Sequence, residues 1–167
     1  MISLGDWRYT KDFTATVFDQ NNAQIGSGTL YTKDAKIGDA AQTTAFLGAD
    51  YKVGAFNFDL GYRYVDGLYA DYSITNSDFL SPNNKGALKL PSYGLVDFGS
   101  TLRFKIGGAN ASLRLNINNL FNTLYIMESN SNVHAEAGSA TWKGIDKTNF
   151  VWFGFRRTWN ATFKINF

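Results

Sequence analysis

The chain has 167 residues, with 16 lysines and arginines set against 14 aspartates and glutamates and no cysteine at all. Scattered, nearly balanced charge leaves no electrostatic footprint for nucleic acid, and the missing thiols remove disulfides, thiolate catalysis and cysteine-based metal sites. No run approaches the roughly 18 consecutive apolar residues of a membrane-spanning helix, and the opening Met-Ile-Ser-Leu-Gly-Asp lacks the basic and apolar regions of a secretory signal.

Six segments alternate with a period of two, the signature of strands with one greasy and one wet face. Residues 7–18 place Trp7, Tyr9, Phe13, Ala15 and Val17 against Arg8, Thr10, Asp12, Thr14 and Thr16, with Lys11 out of pattern. Residues 41–53 set Ala45, Leu47, Ala49, Tyr51 and Val53 against Thr44, Gly48, Asp50 and Lys52, and Phe46 breaks the polar face. In 55–72 the apolar members are Phe56, Phe58, Leu60, Tyr62, Tyr64, Leu68 and Tyr72. Residues 93–106 oppose Val96, Phe98, Leu102, Phe104 and Ile106 to Asp97, Gly99, Thr101, Arg103 and Lys105. Residues 111–126 begin in the same way, but Leu120 and Leu124 fall on the wrong face, which predicts a β-bulge near Asn118 and Asn119. The last segment, 151–167, carries Phe153, Phe155, Trp159, Phe163 and Phe167 on its apolar side.

The connections alternate too: long at 19–40, tight at 53–54, long at 73–92, tight at 107–110, long at 127–149. Short turns at one end and long loops at the other, with apolar-out and polar-in strands, predict an all-β antiparallel transmembrane β-barrel segment. With strands tilted by about 40°, ten residues climb roughly 25 Å, the height of an apolar band, so Arg157 and Asp66 are expected near the outer interface. Six strands are fewer than the roughly eight of the smallest membrane barrels, so the remaining strands are expected outside this sequence or in further copies.

Asn116-Ile-Asn-Asn-Leu-Phe-Asn-Thr-Leu-Tyr125 resembles the penultimate-strand signature of TonB-dependent outer-membrane receptors, and Phe153-Gly-Phe-Arg-Arg-Thr-Trp-Asn-Ala-Thr-Phe-Lys-Ile-Asn-Phe167 is similar to their closing strand. Gly38-Asp-Ala-Ala-Gln-Thr-Thr44, Leu68-Tyr-Ala-Asp-Tyr72 and Leu90-Pro-Ser-Tyr93 extend the likeness over nearly the whole chain; Arg156 departs from it where glycine is common. The resemblance implies a barrel of about 22 strands around an N-terminal plug. Residues 1–167 would be its C-terminal part, with the plug and TonB box outside the sequence. It implies TonB-powered import of a siderophore, cobalamin, glycan or peptide, no cofactor, and no enzymatic role. The implied partners are the outer-membrane bilayer, the rest of the barrel and plug, TonB, the barrel-assembly machinery and a surface lipoprotein. Phe167 resembles the assembly signal. Two alternatives remain: a structural or adhesive outer-membrane barrel without TonB coupling, and a soluble carbohydrate-binding β-sandwich.

Ligand-contacting residues are expected on the loops, where binding groups concentrate: Tyr69, Asp71 and Tyr72 at the second, and Glu128, His134, Glu136, Trp142 and Asp146 in the third. The asparagines 116, 118, 119 and 122 read as lumen residues satisfying one another, and Phe153, Phe155, Trp159, Phe163 and Phe167 as lipid contacts. His134-Ala-Glu136 offers two metal ligands without a third, and the single histidine has no nucleophile elbow beside it, so neither metal binding nor catalysis is expected.

Overall fold

The computed structural model describes residues 1–73 and 77–166. Its elements are β1 (Ile2–Leu4), β2 (Phe13–Phe18), β3 (Gln24–Leu30), β4 (Thr43–Val53), β5 (Phe56–Asp66), a 3-10 turn (Ser77–Leu80), β6 (Tyr93–Ile106), β7 (Ala109–Asn118), β8 (Ile126–Ser129), β9 (Thr141–Trp142), β10 (Ile145–Asp146), β11 (Val151–Phe153) and β12 (Thr158–Asn166). Six of them form one antiparallel sheet in the order β1-β4-β5-β6-β7-β12. There is no α-helix among the described residues.

Two-residue turns join β4 to β5 and β6 to β7, where Val53 faces Phe56 and Ile106 faces Ala109. Gly107 and Gly108 take φ of 54° and 88°, the double left-handed conformation whose twist matches paired antiparallel strands. The other connections all leave from the opposite end. Register puts Phe56, Leu102, Leu113 and Phe163 in one row across β5, β6, β7 and β12. Ring contacts of Phe56 with Phe58 and Phe58 with Phe98 continue the same face. This apolar face is bare: Leu47 and Trp159 are 73% and 72% exposed.

The opposite face is polar and internally bonded. Arg114 donates to both Asp59 oxygens at 2.9 and 3.1 Å, to Thr101 Oγ1 at 3.0 Å and to Asn116 Oδ1 at 2.8 Å. Asn116 passes the chain on to Asn160 at 2.9 Å, and Asn118 reaches Thr158 at 3.2 Å. Four strands are thereby tied by side chains as well as backbone. Gly99 permits this, because the Asp59 carboxylate lies 2.2 to 2.6 Å from where a Cβ would stand.

Three strand-level expectations need correction. Residues 7–18 are not a strand of the wall; Ile2–Leu4 takes the edge beside β4, and Phe13–Phe18 pairs with Gln24–Leu30 as a separate hairpin. The reason is an interruption at Lys11 and Asp12, whose acceptors are taken by the Thr32 hydroxyl and the Lys33 N–H. Lys11, the misfit, lies over the Phe13 ring instead of facing lipid. The predicted bulge is absent: β7 stops at Asn118, and Asn119 and Asn122 turn the chain at φ 51° and 57° before β8. The last segment is broken likewise, into β11 and β12 around residues 154–157. Phe46 does lie on the polar face, its ring laid over Gly48 and Gly61.

Both breaks fall side by side and clasp each other. The Asn119 side chain donates to Thr123 and Phe155 carbonyls and accepts from the Thr123 N–H. Gly154 N–H donates to Tyr125 O at 3.0 Å beneath the Tyr125 ring. Asn122 takes Arg156 on its carbonyl and the Arg157 N–H on its side chain. Arg157, placed by sequence at the outer boundary, sits in this break, while Asp66 ends β5 in an ion pair with Lys89 at 2.9 Å.

Gly99→Ala should destabilise the fold by about 1–3 kcal/mol, because the added methyl must expel Asp59 from Arg114. Urea unfolding in detergent checks this; a shift no larger than that of Gly26→Ala, where a Cβ meets nothing within 4 Å, would refute it.

Candidate functional site

The three long connections pack into one cap at the end away from the tight turns. Between the first and second, Phe79 is buried against Leu30, Ala35 and Tyr72. Tyr31 N–H donates to Phe79 O, and Asn84 Nδ2 to Tyr31 O. Between the second and third, Leu68, Ala70, Leu88, Leu90, Ile126 and Ile145 form a core backed by Trp142 and Val151. A core of this kind holds the loops' backbone in place, so the polar groups above it are positioned rather than free.

An open cleft of about 410 Å³ lies over the second seam, between residues 78–86 and 132–136. Its floor is the buried Phe79 and its walls carry Asn84, Lys85, Asn132, His134 and Glu136. Asn132 clamps the two loops, accepting from Leu88 N–H at 2.6 Å and donating to Gly86 O at 2.8 Å. His134 Nε2 lies 3.1 Å from the same carbonyl. A carbonyl can only accept, so Nε2 carries a proton and, in the neutral ring, Nδ1 is left as an acceptor. Lys85 and Glu136 close the rim as an exposed ion pair, and the Lys85 ammonium holds the Glu136 carboxyl below the usual range. Cation, carboxylate, imidazole and amides around an aromatic floor suit a polar, hydrogen-bonding solute, not a hydrocarbon.

Of the residues expected on the loops, His134 and Glu136 line this cleft; the other six lie elsewhere. Tyr72 donates to Lys36 O at 2.6 Å and stacks on Phe79, and burial pushes its phenol up to about 12. Trp142 packs edge-on against Phe153 at 5.4 Å with Lys143 over its ring. Asp146 is buried as a cap, its carboxyl lowered by the Ser139 side chain and then by the N–H and hydroxyl of Thr148. Tyr69 pairs with Lys89 in an isolated bridge, and Asp71 N–H donates to Ser129 O. Asp71 and Glu128 both raise the carboxyl of Asp39, after burial. Lys85, Asn84 and Asn132 escaped the sequence reading; the turn-rich Pro82-Asn-Asn-Lys-Gly86 was the available signal. Of the aromatics assigned to lipid, Trp159 and Phe163 lie on the bare apolar face. Phe153 packs at the rim, Phe155 is 83% exposed in the strand break, and Phe167 lies outside the described residues.

The family described as "TonB dependent receptor-like, beta-barrel" matches residues 2–120. No curated protein matches in sequence. Among solved structures, the crystal structure of ferric citrate transporter FecA in the unliganded form is similar at a TM-score of 0.46 and 15% identity, over 83% of this chain and 19% of that one. The chain thus spans about a fifth of the length of that transporter.

Acid should loosen the third loop. The folded-state values of Glu136 and Asp146 lie below the unfolded ones, so their contribution is complete above the ordinary carboxylate range and drains away as pH falls through the lowered values. Hydrogen exchange corrected for intrinsic rate should show residues 130–149 losing protection on acidification ahead of residues 93–106. Glu136→Gln and Asp146→Asn should flatten that response; an unchanged slope in both would contradict it.

Proposed function

Because the chain belongs to the TonB-dependent receptor-like β-barrel family, we propose that residues 1–167 supply the C-terminal part of the wall and mouth of an outer-membrane receptor that imports a scarce solute. One observation carries the reading most of the way: the large apolar side chains lie on the uncovered face of the sheet, and the ion-paired, amide-linked network lies on the other. In a soluble protein the apolar face would be the one covered by a second layer. In a barrel wall it meets lipid, while the Arg114–Asp59 network meets the lumen.

On this reading the cap of three loops is the extracellular mouth, and the cleft of Lys85, His134 and Glu136 is where a solute first docks. Siderophores, cobalamin, glycans and peptides all offer the hydroxyl, amide or carboxylate groups such a cleft would bind. Passage inward then needs a plug and energy from TonB, both supplied by parts outside these residues. A binding wall alone gives capture; coupling to the inner membrane gives uptake.

Two measurements test the reading. With Trp7, Trp142 and Trp152 replaced by phenylalanine, brominated lipid should quench Trp159 strongly, whereas a variant retaining only Trp142 should be spared. Equal quenching would defeat the proposed orientation. In cells, loss of the gene should abolish uptake of one compound from a panel of ferric siderophores, cobalamin, oligosaccharides and peptides, and that uptake should stop when the proton-motive force is dissipated. Unchanged uptake across the panel, or uptake indifferent to the proton-motive force, would refute an energised receptor.

A further inference from the structure

Charge on the polar face of the sheet is sorted by height. Nearest the tight turns, Lys105, Asn110 and Asn166 face one another across β6, β7 and β12, and one step higher Arg103, Ser112 and Lys164 do the same. The next row carries Lys52, Asn57, Thr101, Arg114 and Thr162. These rows contain no carboxylate. The first acids, Asp50 and Asp59, stand one row further up, and Asp59 is occupied by Arg114. Lys52, Arg103, Lys105 and Lys164 are exposed and form no ion pair among the described residues.

Like charges gathered without counter-charge repel one another and lower stability, so their placement on one end of one face asks for a partner. We propose that this basic end of the polar face docks an acidic, extended polypeptide segment, a proposal that rests on the polar face being the lumen. The spacing favours a chain over a small anion. Strands lie about 4.8 Å apart and alternate residues about 6.8 Å, so Arg103 to Lys164 spans roughly 10 Å and Arg103 to Lys105 roughly 7 Å. The second distance is the repeat of side chains on one edge of an extended peptide. Asn110, Ser112 and Asn166 stand among the cations and supply donors and acceptors for that peptide's backbone. Lipid phosphate is disfavoured, because the lipid-facing residues are the opposite set.

The test uses the intact chain folded into maltoside micelles and a fluorescent dodecapeptide alternating glutamate and threonine, with the glutamine counterpart as control. Anisotropy should report binding of the acidic peptide alone, weakened at least about tenfold by the triple variant Arg103→Gln, Lys105→Gln and Lys164→Gln, and weakened again by high salt. The charge-keeping triple Arg103→Lys, Lys105→Arg and Lys164→Arg should bind as the parent does, which separates charge from folding. Equal binding of the neutral peptide, no binding of the acidic one, or a glutamine triple that folds and binds unchanged would overturn the proposal. Competition by inorganic triphosphate as effective as the peptide's own would instead mark a small-anion site and overturn it too. Quenching of Trp159 by brominated lipid reports separately on the barrel reading, so failure of one is distinguishable from failure of the other.

Discussion

Backbone hydrogen bonding along the six-stranded ladder dictates where every other feature of the chain can lie. The inner strands satisfy their N–H and C=O groups against both neighbours, and the two-residue turns fix the antiparallel register of β4 with β5 and of β6 with β7. Once register is set, side chains have only two faces available, and a slip of one residue would exchange them. The Arg114 hub makes such a slip costly. Its partners come from β5, β6 and β7, so a shift of β5 against β6 or β7 would unpair a half-buried charge, while the Asn116–Asn160 amide bond carries the network on to β12. Exposed ion pairs are worth little singly; here the value lies in several bonds converging on one guanidinium.

Where the ladder is interrupted, side chains take over the work of backbone. The breaks after Asn118 and after Phe153 are adjacent, and each supplies what the other lacks: carbonyls of Phe155 and Asn122 accept, the Asn119 amide and Arg156 donate. This explains physically why an asparagine-rich stretch and a Gly-x-Arg-Arg stretch occur together in one chain. Asparagine tolerates left-handed backbone and offers both donor and acceptor, so it can turn the chain and pay back the lost bonds at once. Beyond the clasp, β8 with β11 and β9 with β10 belong to the cap rather than to the wall.

Period-two alternation made β4, β5, β6, β7 and β12 legible, because a two-faced sheet requires it and the glycine turns mark its reversals. The same signal misled at residues 7–18. A hairpin packed on Phe79 alternates as well as a wall strand does, and only non-local donors, the Thr32 hydroxyl and the Lys33 N–H, break it at Lys11 and Asp12. The three residues of β1 are too short for any periodicity to register. Phe46 violated the pattern for a reason invisible locally: one of the two glycines beneath it is on the neighbouring strand. The cleft was half legible. His134 and Glu136 stood out as titratable loop residues, whereas Lys85 and Asn132 acquire a role only through a seam between segments 47 residues apart.

The separation between β7 and β12 bears on how the chain reaches this form. The β4–β5 and β6–β7 hairpins close across two residues, whereas pairing β12 to β7 must first confine residues 119–157. Loop-closure entropy grows with the logarithm of length and falls on the transition state before contacts repay it, so this pairing, like that of β1 with β4 across residues 5–42, is topologically more demanding than the hairpins. The Asn119–Phe155 clasp sits at the mouth of that loop and shortens it to a fixed pair of ends. A motif that looks like a rim ornament is therefore well placed to act as the register pin of the final zippering.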